Sequence, residues 1–118
     1  MTDHQSPTDN AAAERFARFN ARPQIRRITT KYSDWAAQGN GWIINVQLSG
    51  LAMMRLAGRI ARQEYRTSVR KLATESGLPM ADFRLLAECT RELARYMLAD
   101  TGQIPFNPTQ WDNEEGKL

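Results

Sequence analysis

The chain has 118 residues, with 16 Lys and Arg against 13 Asp and Glu. That length holds one domain and excludes a multidomain enzyme. A hydrophobic content of 42%, a charged content of 25% and a mean hydropathy of −0.58 are those of a water-soluble chain that folds.

Residues 1–8 read as a disordered start. Ser6, Pro7, Thr8, Asp9 and Asn10 then supply helix-start chemistry ahead of AAAERFARFNA. Phe16 and Phe19 sit three apart, which predicts one shared face on a short helix ending before Pro23. The segment QIRRITT (24–30) is β-branched and basic, and YSDWAAQGNG (32–41) reads as a loop or short helix stopping at Gly39 to Gly41. Residues 42–48, WIINVQL, suit either a strand or a first helical turn. From there the pattern predicts a helix over 50–76, with roughly 25 firmly helical residues spanning about 37 Å. Ser76, Gly77 and Pro79 supply its stop and the restart of a second helix over 80–99. Residues 103–118 carry two prolines and no period, so Phe106 and Trp111 read as docking anchors of an irregular tail. The predicted fold is therefore all-α: a small bundle over 9–102 built on a long antiparallel helical hairpin.

Thirteen of the cations are Arg and three are Lys (Lys31, Lys71 and Lys117). Arg is the better fork for phosphate and carboxylate, although genome composition alone also produces such an excess. Position along the chain is more informative. Residues 22–71 carry ten cations against Asp34 and Glu64, a net +8, while residues 1–21 carry −1 and residues 72–118 carry −4. A basic middle between acidic ends implies a polyanion or an acidic partner.

No pattern for catalysis is present. The single His, His4, lies in the predicted disordered start and cannot be held at a site. Cys89 stands alone, which excludes an internal disulfide and, with no clustered ligands, offers no metal site. Phosphate-loop, dinucleotide and nucleophile-elbow motifs are missing, and no cofactor is implied. Glu88 and Glu92 alternate with Arg84, Arg91 and Arg95, which reads as solvated pairing on a helix face. The start MTDHQSPTDN is not a signal peptide, and no apolar run spans a bilayer. The expectation is a non-enzymatic cytoplasmic protein with no membrane partner.

The sharpest pattern is a row of arginines. On one continuous helix Arg55, Arg59, Arg62, Arg66 and Arg70 share an arc of about 80°, one per turn, opposite a wide apolar face. Glu64 falls within that apolar face, and Tyr65 flanks the row. Repeated cations along a rigid line suit a nucleic-acid backbone, RNA or single-stranded DNA, with Arg22, Arg26 and Arg27 assisting. Two other readings stand beside it. Leu72, Ala73, Gly77, Phe83 and Leu86 match the spacing of a helix-turn-helix, although Met80, Ala81 and Asp82 are poor leading residues for base recognition. An adaptor docking on other protein subunits, with no nucleic acid, is the third. Trp35 and Trp42 read as filling the bundle end around Gly39 to Gly41. As a fold-level analogy, small helical subunits of RNA-guided effector complexes and small plasmid and phage accessory proteins combine this size, charge and lack of catalytic groups.

Overall fold

The computed structural model describes residues 7–107 and residue 109. Among the described residues there are six helices and no strand. Helix α1 spans Pro7–Ala21, α2 Pro23–Lys31, α3 Ser33–Ala37, α4 Gly39–Leu56, α5 Arg62–Ser76 and α6 Met80–Asp100. The all-α class follows as expected.

Each boundary has a local cause. Pro23 occupies the first turn of α2, where its missing N–H is no loss, and Arg22 before it is extended (φ −61°, ψ 131°). The β-branched residues of 24–30 therefore form a helix, because Ile25, Ile28 and Tyr32 recur at helical spacing and all three are buried. Residues 42–48 are helical for the same reason. Gly41, Ile44, Leu48 and Ala52 form the buried face of α4, so the period is that of a helix and not of a strand.

The predicted helix over 50–76 is two helices. Gly58 adopts φ +76°, the Gly58 amide bonds the Arg55 carbonyl (3.1 Å), and the Arg59 amide bonds the Met54 carbonyl (2.8 Å). Together these form a Schellman stop that ends α4, and α5 restarts at Arg62. Each Arg-to-Arg step fits a helical turn, which masks the glycine in the pattern. Gly77, at φ +69°, closes α5 in the expected place.

Helix α6 is the spine of the bundle, touching α1, α2, α4 and α5, and its most extensive partner is α4 and not α5. The main core joins Ile44 and Leu48 of α4, Leu72 and Ala73 of α5, and Phe83 and Ala87 of α6. A second cluster seats Ile28 and Tyr32 of α2 on Leu86. A third joins Ala12 to Ala99, with Tyr96, Ile104 and Phe106 packed around them. Phe106 thus packs within its own chain, against α1 and α6. Trp111 lies outside the described residues. Phe16 stacks flat on Tyr96, ring centroids 5.1 Å apart, while Phe19 is buried.

Trp35 and Trp42 part company. Trp35 is half-buried, edge-on to Tyr32 at 6.1 Å, and its backbone closes against Gly41. Trp42 points outward and is 53% exposed, one residue off the buried face. It heads an exposed apolar stripe on α4 with Ile43, Val46 and Met54.

Candidate functional site

Breaking the helix at residues 57–61 divides the predicted row of arginines. Arg55 sits in the last turn of α4, Arg59 lies in the exposed connection, and Arg62, Arg66 and Arg70 remain one turn apart along α5. Glu64 moves out of the apolar face: it is exposed in the first turn of α5, where a carboxylate suits the positive end of the helix dipole. Tyr65, which the row placed beside the cations, is buried at 4% exposure.

The break has a second effect. It turns Arg66 and Arg70 toward α6, where they line one groove with Arg84 and Arg91. The groove encloses about 590 Å³ between the two helices, and its apolar surface includes Tyr65, Val69, Ala73, Phe83 and Ala87, with Met80 at the edge. Glu88 is its one carboxylate. Among the described residues none of these four arginines has a carboxylate oxygen within 4.0 Å. Arg91 is only 7% exposed, and its Nε makes no hydrogen bond.

By spacing alone, Arg84, Arg91 and Arg95 form a solvated face of α6 paired with Glu88 and Glu92. Packing overturns most of that. Glu92 is buried and accepts from Arg15 Nε of α1 at 3.0 Å and from Arg95 Nη1 at 2.8 Å, with Arg95 fully buried. This triad ties α1 to the spine. Its members sit where α1 covers α6, a fact that the period of α6 alone cannot disclose. Arg84 stays exposed, and Arg91 faces the groove.

Arg22, Arg26 and Arg27 are all exposed on or beside α2. The Arg22 guanidinium lies 5.2 Å from the centroid of the Phe19 ring. Helices α2 and α5 share no contact, but α2 packs on α6 and Arg27 is close enough to act on Asp82. The start of α6 is occupied by α2: Asp82 accepts from the Tyr32 hydroxyl and from Lys31 Nζ at 3.3 Å. The Tyr32 hydrogen bond and the Lys31 ammonium hold the Asp82 carboxyl below its ordinary range, and the Asp82 bond pushes the Tyr32 hydroxyl up.

Burial, with the Glu88 carboxylate adding to it, pushes the Cys89 thiol up to about 11, so it is neutral and unreactive at neutral pH. Among the described residues no group of three or more His, Cys, Asp or Glu is placed to hold a metal ion. No described helix is long and apolar enough to cross a membrane. No family model, no curated protein and no solved structure matches the chain.

Proposed function

We propose that this protein is a non-enzymatic helical subunit that binds a nucleic-acid backbone, RNA or single-stranded DNA, within a larger nucleoprotein assembly. One observation carries the reading: Arg66 and Arg70 from α5 meet Arg84 and Arg91 from α6 on one groove, without an ion pair among them. Four guanidinium groups against one carboxylate, Glu88, leave the groove net positive, and it attracts a polyanion. Arg62 lies one turn before Arg66 on α5, and Arg22, Arg26 and Arg27 offer a second contact for a longer strand.

The exposed apolar stripe of Trp42, Ile43, Val46 and Met54 supports the assembly part of the proposal. A helix that is apolar on both its inner and outer faces suits burial against another subunit. The helix-turn-helix alternative gains less from the fold. Helix α6 is a buried spine, and its leading Asp82 is engaged by Tyr32 and Lys31 rather than free to meet a base edge.

Charge reversal tests the backbone reading. Arg66→Glu with Arg70→Glu is expected to weaken binding of a fluorescent single-stranded oligonucleotide by about a hundredfold at low salt, without loss of helical circular dichroism. Unchanged affinity, or no binding by the parent protein, overturns it in favour of the adaptor reading.

A further inference from the structure

We propose that the groove between α5 and α6 receives one unpaired nucleotide of a single strand, its phosphate among the four arginines and its base against the apolar floor. The inference rests on the nucleic-acid reading above and adds what the groove selects. A backbone-only binder needs repeated cations along the strand and no apolar surface between them. Here the cations rim a concavity of about 590 Å³ floored by Val69, Ala73, Phe83 and Ala87. That volume lies within the range of about 300–1,000 Å³ that holds a small organic ligand, and apolar floors with few polar groups are how such sites work.

Arg91 supplies the independent observation. Its side chain is more than nine-tenths buried, lines the groove, and leaves Nε without a hydrogen-bond partner. Its charge is thus held at the groove with no ion pair among the described residues, and an entering phosphate supplies the missing counter-charge. Glu88 gives the same groove one acceptor. A carboxylate is a poor neighbour for a second phosphate and a good one for the amino group of cytosine. Duplex DNA keeps its bases stacked inside and cannot place one on this floor without flipping it out. The expected preference is therefore for single strands over duplex, which is opposite to the order set by charge density alone.

The test uses the full chain and fluorescence anisotropy with three probes of about twelve nucleotides: a cytosine strand, the same backbone with the bases removed, and a duplex. The cytosine strand is expected to bind at least about tenfold more tightly than either of the others. If the abasic strand or the duplex binds equally well, base insertion is wrong while backbone binding stands. If none of the three binds, the reading beneath it fails as well. Arg91→Met separates a binding role from a structural one, because it replaces a buried, unsatisfied cation by an apolar group of similar length. It is expected to melt no lower than the parent and to bind the cytosine strand about tenfold more weakly. Lower melting with unchanged affinity assigns Arg91 to packing and overturns the proposal, as does displacement of the strand by an equimolar Glu-rich amphipathic peptide.

Discussion

A methyl group at position 41 has nowhere to go. A Cβ built on Gly41 lies 1.9 Å from the Trp35 carbonyl oxygen and 2.7 Å from its indole, and a backbone oxygen cannot swing aside as a side chain does. Gly41→Ala is therefore expected to lower stability by about 1–3 kcal/mol, read from urea unfolding, with the damage centred on the junction of α3 and α4. Glu92 is the other residue whose importance exceeds its appearance in the sequence. Two arginines, one from another helix, converge on its buried carboxylate. Glu92→Gln removes the buried negative charge on which Arg15 and Arg95 converge and is expected to cost about 3–5 kcal/mol. Replacing the exposed Glu14, whose pair with Arg18 at 4.0 Å stands in solvent, is expected to change the same unfolding curve by less than about 1 kcal/mol. The spacing of charges on a helix is the same whether they face water or another helix, so periodicity alone cannot distinguish Glu92 on α6 from Glu14 on α1.

At the scale of the element, two glycines eight residues apart in and after α4 have opposite roles. Gly58 holds φ +76° and closes the helix, and Gly50 lies inside it; neither has an atom within 4 Å of where a Cβ would sit. With steric clash absent from both, only backbone preference remains. Gly58→Ala is expected to destabilise by about 1 kcal/mol, the cost of a left-handed residue carrying Cβ. Gly50→Ala is expected to stabilise by about 0.5–1 kcal/mol, as a helix interior does. Thermal melts of the two single variants, moving in opposite directions, check both at once. The docking of α2 on α6 brings pH dependence. Asp82 has a depressed carboxyl, so its contribution is present above the unfolded value of about 4 and is lost as pH falls through the folded one. Tyr32 is raised, so its contribution is present below about 10 and is lost as pH rises through its folded value. Tyr32→Phe is thus expected to lower the melting temperature across the middle of the range, with the gap from the parent closing at both extremes. A gap that stays constant from pH 3 to pH 11 would show that the Tyr32–Asp82 bond contributes nothing.

For the molecule as a whole, the division of positive charge between the α5–α6 groove and helix α2 predicts how salt acts on binding. On a strand of about six nucleotides, Arg66→Gln with Arg70→Gln is expected to reduce the log-log salt slope by about 1.4, while Arg26→Gln with Arg27→Gln leaves it nearly unchanged. On a longer strand both pairs are expected to matter, and titrations in sodium chloride at two oligonucleotide lengths distinguish the cases. The sequence by itself determined the helical class, the stop at Gly77, the restart after Pro79 and the concentration of charge in residues 22–71, because periodicity, capping chemistry and composition are local. Gly58, the stop of α4, is also present in the sequence, beneath a regular run of arginines. Only the tertiary structure decided which arginines share a surface. Side-chain direction along a helix is a matter of counting by 100°, but the count restarts at each break, and a groove needs a second helix whose docking angle no local pattern encodes. The same reason put Arg84 and Arg91 opposite Arg66 and Arg70, buried Glu92 with Arg15 and Arg95, and left the outer face of α4 apolar and open.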